Sequence, residues 1–174
     1  SVITLLPQQA DRRRQAEAFW RHALGVGAAS RVVVAASPVG ALLPREECLV
    51  AGLLHDLGKL IWLRFFPEEL HAIAAAAERS GLTSLEAELA LTGTTHARLG
   101  RMVARHWHLP ESYQEVIGGH HDAAPGNRDA LLCGVVQVAD TLAHVLELGG
   151  PALSRIPSPS REMWEALRLS PEQM

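Results

Sequence analysis

The chain has 174 residues, a formal net charge of −3, and 48% hydrophobic against 20% charged residues. These values predict one compact domain with a sizeable core, and they give no electrostatic reason to expect nucleic acid as a partner. No apolar run approaches the roughly 20 residues that span a bilayer, and no segment resembles a signal peptide, so we expect no membrane contact.

Two isolated cysteines indicate the cellular compartment of the protein, and the two chain ends indicate whether it is part of a longer chain. Cys48 and Cys133 lie in apolar contexts without CxxC spacing, which predicts small core residues of a reduced, cytoplasmic protein. The first residues are apolar with no start signal, and the last open a helix that then stops. We therefore expect residues 1–174 to be a single domain cut from a longer protein.

Helical patterns follow one another along the chain, and strand-like alternation is almost absent. Prolines 44, 67 and 110 mark helix starts, while glycines 81 and 93 and the run Gly149-Gly150-Pro151 mark stops. Residues 1–6 are compatible with a strand or a helical turn, and residues 155–160 have the composition of a linker. The pattern predicts an all-α fold, with helices over residues 11–36, 45–63, 68–80, 85–92, 95–107, 111–121, 127–148 and 160–167.

One apolar stretch among these predicted helices contains charged residues. The segment AGLLHDLGKLIW, residues 51–62, predicts the middle of a buried helix, yet it contains His55, Asp56 and Lys59. Burying an ionised carboxylate is costly even after relaxation, so Asp56 needs a compensating partner. Neighbours on a helix point about 100 degrees apart, so His55 and Asp56 can both reach a site between packed helices, with Lys59 one turn away.

Five histidines and two aspartates occupy such settings, spread over five predicted helices. They are His22, His55, Asp56, His96, His120, His121 and Asp140. Divalent cations would neutralise the buried carboxylates, and imidazole is a good ligand in a partly dry site. Seven ligands exceed what one tetrahedral ion uses, and with Asp56 bridging they would suffice for two. We expect one or two divalent ions, for which iron, manganese, zinc, nickel and cobalt all suit the donor set.

A pair of such ions suits the hydrolysis of a phosphate ester or nucleotide. One ion lowers the pKa of an attacking water, and both stabilise charge on the transferring phosphoryl group. In this hypothesis Asp56 and Lys59 are the catalytic residues, because Asp56 bridges the ions and Lys59 faces the substrate phosphate or the attacking oxygen.

Simpler interpretations remain open for the individual residues. A lone histidine on an apolar helix face is more often a hydrogen-bonded core residue than a ligand. Asp140 could cap a buried group or pair with an arginine, and in a scaffold without metal Asp56 would pair with Lys59 or an arginine. The remaining histidines fall outside the pattern and are expected to be surface or packing residues; they are His71, His106, His108 and His144.

The order of these motifs resembles the HD superfamily of metal-dependent phosphohydrolases. Within it, AGLLHDLGKLI, THARLGRMVARHWHLPESYQEVIGGHH and VVQVADTLA resemble the HDOD branch of bacterial signalling output modules, over about residues 17–146. The resemblance implies an HD-domain-like helical bundle with a metal site between helices. It also implies two ligand sets that share Asp56: His22, His55, Asp56 and Asp140 for one ion, and Asp56, His96, His120 and His121 for the other.

The sequence departs from its relatives in two places. HDOD modules usually carry a helical half before the stretch that matches His22, and here only some twenty residues precede it. The related HD-GYP phosphodiesterases have a Gly-Tyr-Pro signature after the paired histidines, where this chain has HHDAAPGNRD. The resemblance therefore does not extend to the cleavage of cyclic dinucleotides.

Two functions follow from the sequence. The first is a signalling output domain that is also a metal-dependent phosphohydrolase or phosphodiesterase. The second is a regulatory or protein-interaction module in which the site is structural or senses a ligand. In either function the partner would be a signalling protein or an upstream regulatory domain of the same chain.

Overall fold

The computed structural model describes residues 5–149, 156 and 158–169, and this part of the chain contains helices and no strand. The all-α prediction is confirmed. A short 3-10 helix, Pro38–Leu42, follows the first α-helix. The α-helices are α1 (Leu5–Ala36), α2 (Arg45–Leu54), α3 (Leu57–Phe65), α4 (Pro67–Ser80), α5 (Ser84–Thr92), α6 (His96–His106), α7 (Glu111–Gly119), α8 (Arg128–Val145) and α9 (Arg161–Ala166).

Local sequence signals explain several of these boundaries. Thr83 and Glu86 form a reciprocal capping box at the start of α5, and the Thr95 hydroxyl accepts the backbone N–H of the third helical residue of α6. Gly81 and Gly93 end α4 and α5 with φ of 63° and 72°, a conformation that favours glycine. Both glycine stops predicted from the sequence are confirmed.

The long helix α1 packs against α2 and α8, and these three helices enclose the main core. Val26 and Val33 of α1 and Val135 and Val136 of α8 are fully buried there. A second, smaller cluster lies where α6 packs between α3 and α7. The fold thus has two packed groups of helices, which meet through α2, α7 and α8. Among the described helices, none is both long and apolar enough to cross a bilayer.

The predicted continuous helix over residues 45–63 is wrong. Helix α2 ends at Leu54, α3 begins at Leu57, and His55 and Asp56 form the turn between them. Asp56 has φ of −95° and ψ of 20°, and its carbonyl accepts the N–H of Lys59 at 2.8 Å. The chain bends here without the glycine or proline that would have signalled a break.

The other helix boundaries differ less from the predicted ones. Helix α1 begins earlier than predicted, at Leu5, and α7 ends at Gly119, so the paired histidines follow the helix. Helix α8 ends at Val145, before the predicted stop. Residues 1–4, Gly150, Pro151 and, within the predicted linker, Arg155 and Pro157 lie outside the described residues. Cys48 and Cys133 are buried free thiols, as expected for core residues.

Helices α3 and α6 approach each other closely at Gly58. A Cβ atom at this position would lie 1.9 Å from the carbonyl oxygen of His96, far inside contact distance. Because Gly58 follows Asp56 by two residues and His96 begins α6, this close approach brings the two residues together.

Candidate metal centre

The structure brings together all seven side chains singled out in the sequence. Six are at least nine-tenths buried and His121 is partly buried. The expectation that they lie within five helices is wrong, because four of them stand in breaks or turns. His22 and Asp140 lie inside α1 and α8, His96 is the first residue of α6, His55-Asp56 separate α2 from α3, and His120-His121 follow α7.

The two carboxylate oxygens of Asp56 face opposite halves of this cluster. Oδ1 lies 3.2 Å from Nε2 of His96 and 3.8 Å from Nε2 of His120. Oδ2 lies 3.3 Å from Nε2 of His55 and 3.7 Å from Nε2 of His22. Asp56 therefore occupies the centre, in a position from which one carboxylate could bridge two ions.

Each half of the cluster is completed by a further group. Asp140 Oδ1 lies 3.0 Å from Nε2 of His22 and 3.7 Å from Nε2 of His55. On the other side, Nε2 of His121 lies 2.8 Å from Nε2 of His96. Three groups have ligand atoms close enough to share one ion: His22, His55 and Asp56; His96, His120 and His121; and His22, Asp140 and His144.

Backbone carbonyls orient three of the imidazole rings through Nδ1. The Nδ1 atom of His22 lies 3.1 Å from the carbonyl oxygen of Leu148, and that of His55 lies 2.7 Å from the carbonyl oxygen of Gly52. Nδ1 of His120 makes the same kind of contact with two carbonyl oxygens of the preceding helix α7, each at 3.2 Å. A carbonyl only accepts hydrogen bonds, so Nδ1 of each ring carries a proton.

The Nε2 atoms of the same three rings have no hydrogen-bond partner in the protein. In a neutral ring protonated at Nδ1, Nε2 presents a lone pair. Nε2 of His22, His55 and His120 is buried without a hydrogen-bond partner, as are Oδ1 of Asp56 and Oδ1 of Asp140. Lone pairs that face carboxylate oxygens repel each other, and a cation between them removes the repulsion. The donor set therefore fits a divalent metal ion.

Glu88 of α5 orients the fourth ring. Its two oxygens lie 2.8 and 2.7 Å from Nδ1 of His96, and one of them also accepts the backbone N–H of His96 at 2.6 Å. Glu88 is 1% exposed. Carboxylates commonly hold metal-binding histidines in this way, which fixes the tautomer and increases ligand basicity. Glu88 was not among the predicted site residues, because its segment SLEAELALT has the composition of an ordinary capped helix.

Burial affects the ionisation of the imidazoles differently across the cluster. It lowers the pKa of His120 well below the ordinary value, and the neighbouring histidines add to the effect. Burial and the proximity of His96 lower the pKa of His121 to about 3. Burial also opposes the protonation of His55, but the adjacent carboxylates outweigh it and raise the pKa of that ring. His120 and His121 are therefore neutral near pH 7, as metal binding requires.

The two central carboxylates are ionised. Burial acts to raise the pKa of Asp56, but His55 and Lys59 outweigh it and hold that pKa well below the ordinary value. Burial opposes ionisation of Asp140 in the same way, and His22 and His55 outweigh it and lower its pKa. Two buried anions consequently face a set of rings of which several are neutral.

Lys59 contacts one of these carboxylates directly. Its Nζ donates to Oδ2 of Asp56 at 2.7 Å, and the side chain remains 26% exposed. Lys59 is also the one lysine in the sequence. This ion pair is the arrangement that a scaffold without metal would require, yet it leaves Oδ1 of Asp56 and Oδ1 of Asp140 without a hydrogen-bond partner. The pair therefore satisfies only part of the buried charge.

The histidines outside the predicted set have different surroundings. His106 and His108 are exposed, as expected. His144 is half-buried and belongs to the cluster, because its Nε2 lies 3.3 Å from Oδ1 of Asp140. The expectation that His144 is a surface or packing residue is therefore wrong. The signal that could have revealed it is its position four residues after Asp140, on the same face of α8.

A cavity of about 320 Å³ gives access to one side of the cluster. His22, Asp56, Lys59 and His144 form its polar floor. The walls are largely apolar, and exposed His71 lies at the rim; the apolar wall residues are Ala18, Phe19, Leu63, Leu70 and Ala74. A small molecule with one anionic and one apolar part would match these surfaces.

The described residues form an all-α fold with a buried cluster of histidines and aspartates where several helices meet. The model of the HDOD domain family matches residues 1–123, and the chain belongs to this family. The family resemblance inferred from the sequence motifs is thereby confirmed.

Three relatives illustrate the extent of the similarity. An uncharacterized protein of Treponema pallidum (strain Nichols) is 26% identical over 112 residues, which are 64% of this chain and 21% of that protein. The crystal structure of an HDOD domain protein of unknown function from Geobacter sulfurreducens is 27% identical, with a TM-score of 0.76. That match covers 87% of this chain and 52% of the other.

A second crystal structure shows the same fold at lower identity. It is that of a protein proposed to act in signal transduction in Marinobacter aquaeolei VT8, with 20% identity and a TM-score of 0.76. The match covers 88% of this chain and 34% of the other. The chain thus spans about half or less of the length of these relatives.

Proposed function

We propose that the chain is an HDOD output domain of a signalling protein and that its cluster binds one or two divalent metal ions. The observation that carries this proposal is the set of buried Nε2 and carboxylate atoms that face one another without hydrogen-bond partners. His22, His55, Asp56 and Asp140 would hold one ion, and Asp56, His96, His120 and His121 the other. The similarity to a protein proposed to act in signal transduction supports the signalling role.

We further propose that this site hydrolyses a phosphate ester. The bound ions would lower the pKa of an attacking water and stabilise charge on the phosphoryl group. The exposed part of Lys59 lies on the cavity floor, where its ammonium can bind an anionic oxygen of the ester. The apolar wall of the cavity, which includes Phe19 and Leu63, would hold the organic part of the ester.

A hydrolysis assay tests this function. The purified chain, loaded with Mn²⁺ or with Fe²⁺ under anaerobic conditions, is incubated with bis-p-nitrophenyl phosphate, p-nitrophenyl phosphate and a panel of nucleotides. We expect turnover of at least one ester, abolished by a chelator and restored by adding the metal back. Failure of every ester to react with a fully loaded protein would refute hydrolysis and leave metal binding intact.

A regulatory module without turnover is the second candidate. The observation that favours it is the Lys59–Asp56 ion pair, which partly compensates the site without an ion. In this case metal loading or chelation should change thermal stability or the affinity for a signalling partner, while no phosphate ester is hydrolysed. Robust hydrolysis would contradict this candidate.

Replacing Lys59 by methionine should have opposite effects on metal binding and on turnover. The ammonium competes with a metal ion for Oδ2 of Asp56, and a hydrogen bond to a charged group contributes roughly 1.5 kcal/mol. We therefore expect Mn²⁺ affinity, measured by calorimetric titration, to rise by about tenfold. Phosphate ester hydrolysis should fall by about 100-fold, because a donor to the developing negative charge is lost.

The matched control for this change is Arg64→Met on the same helix. Arg64 is an exposed cation that lies over the ring of Phe65 rather than in the cluster. Its replacement should leave both measurements unchanged. If Lys59→Met weakened Mn²⁺ binding, the inferred competition would be wrong.

Replacing Glu88 by glutamine should weaken metal binding on the His96 side of the cluster. The amide oxygen of glutamine can still accept from the backbone N–H and from Nδ1 of His96, but this acceptor is neutral, so it holds the ring less firmly and leaves Nε2 a weaker base. Loss of such an orienting partner typically costs 10- to 100-fold in metal affinity, and we expect a decrease of about this size in a Mn²⁺ titration. Glu78→Gln, an exposed change on α4, is the control. Equal affinities of the two variants would show that Glu88 does not orient a ligand.

A further inference from the structure

His144 extends the cluster towards the cavity. It lies one helical turn after Asp140 on α8, and its side chain lines the cavity together with His22. We propose that His144 is a further metal ligand, which forms with His22 and Asp140 a cation-binding position at the floor of the cavity. The inference rests on the proposed metal site and adds to it a ligand that the family resemblance did not imply.

The distances between the three ligand atoms suit a common ion. Nε2 of His22 and Nε2 of His144 lie 3.0 and 3.3 Å from Oδ1 of Asp140, and the three atoms are within 4.8 Å of one another. Nitrogen and oxygen ligands bound at about 2.0–2.2 Å to one ion stand about 3 Å or slightly more apart. The two imidazole rings are 4.7 Å apart between centroids and tilted by 35°, so they do not stack face to face.

A second observation points to a ligand at this position. His22 and Asp140 are 7% and 5% exposed, and Nε2 of His22 and Oδ1 of Asp140 have no hydrogen-bond partner. Both atoms lie within 4.8 Å of the ligand atom of His144. A hydrogen bond from His144 does not explain the arrangement, because Oδ1 of Asp140 remains unsatisfied in its presence.

The donor set also indicates the kind of ion and its accessibility. Two imidazoles and one carboxylate are typical of sites for divalent transition metals that keep coordination positions open. Here the open side is the cavity, because His144 is half-buried and forms part of the cavity floor. An ion at this position would be the one that a ligand entering the cavity reaches first, while His96 and His120 lie deeper.

Metal titration of the wild-type chain and two variants tests the proposal. The probes are Mn²⁺, followed by calorimetry and by metal content after equilibrium dialysis, and Co²⁺, followed by its visible absorption spectrum. We expect His144→Ala to lower the affinity for one ion by at least about 100-fold and to change the Co²⁺ spectrum. His71→Ala, at the rim of the same cavity and outside the cluster, should behave as the wild type.

A cysteine at position 144 provides a direct readout of ligation. In Co²⁺-loaded His144→Cys a thiolate-to-cobalt charge-transfer band should appear in the near ultraviolet, which no hydrogen-bonding or packing role would produce. The buried thiols of Cys48 and Cys133 set the background, which the wild-type chain measures. Wild-type affinity and spectrum in His144→Ala, together with no new band in His144→Cys, would overturn the proposal.

The outcomes separate this inference from the proposed hydrolysis. Metal binding that depends on His144, without turnover of any ester, would support the inference and refute the enzyme. Metal-dependent hydrolysis by the wild type, together with an unchanged metal content and spectrum in His144→Ala, would support the enzyme and refute His144 as a ligand. A wild-type chain that binds neither Mn²⁺ nor Co²⁺ would overturn the inference outright.

Discussion

Replacing Asp56 by asparagine is expected to remove metal binding from both halves of the cluster without unfolding the protein. The two carboxylate oxygens face different histidines, so one change affects both sets of ligands. Asparagine offers one neutral oxygen to a metal, and its NH₂ group can donate to the Nε2 lone pairs of the neighbouring rings. We expect affinity for Mn²⁺ to fall by at least about 100-fold at the two positions that would share Asp56, and phosphate ester hydrolysis to disappear.

The stability of the variant is measured separately from its metal affinity. Asparagine keeps the side-chain shape but leaves Lys59 without its anionic partner, and the lowered pKa of Asp56 means that its charge stabilises the fold near pH 7. The metal-free variant should therefore stay folded but unfold at a lower temperature than the metal-free parent. Asp122→Asn is the matched control, since Asp122 follows the paired histidines directly but is exposed. Hydrolysis that survived Asp56→Asn would refute the assignment of Asp56 as the shared ligand.

Replacing Gly58 by alanine is expected to cause the largest loss of stability. The added Cβ would lie 1.9 Å from the carbonyl oxygen of His96 and 2.9 Å from the backbone nitrogen of Gly100. Backbone atoms cannot move aside as a flexible side chain can, so α3 and α6 must separate. We expect a decrease of about 3 kcal/mol or more in the free energy of unfolding, and a Tm lower by roughly 10 °C, measured by thermal denaturation.

A second glycine provides the control for this change. Gly119 also lies in a helix beside the cluster, but a Cβ there would have its nearest contact, the Cys133 sulfur, at 3.9 Å. Gly119→Ala should therefore leave stability unchanged or raise it by up to about 1 kcal/mol. If the two alanine variants were equally stable, the close approach of α3 and α6 would not constrain the fold.

The sequence contains enough information to predict the fold class and most of the cluster. Helix periodicity, capping residues and the glycines at 81 and 93 determine local structure, and these signals act over a few residues. Histidines and aspartates in apolar helical segments indicate a shared buried site, because such residues need partners. His22 and Asp140 were found in this way, although they are more than 100 residues apart in the chain.

Other features depend on tertiary contacts that the sequence pattern does not contain. The turn at His55-Asp56 interrupts an apolar pattern that would continue smoothly through a helix. Glu88 is buried only because α5 lies against the first turn of α6, which brings its carboxylate to His96. The segment around Glu88 alone cannot be distinguished from one with a solvent-exposed glutamate.

If metal and anion bind as proposed, the contact between Lys59 and Asp56 would make the two binding events interdependent. A cation that takes Oδ2 must displace the ammonium, and the Lys59 side chain already borders the cavity. The freed positive charge would then meet an incoming anion, so each ligand would increase the affinity for the other by the same factor. Domains of this kind would respond to the product of two concentrations, acting as a coincidence detector for a metal and an anion.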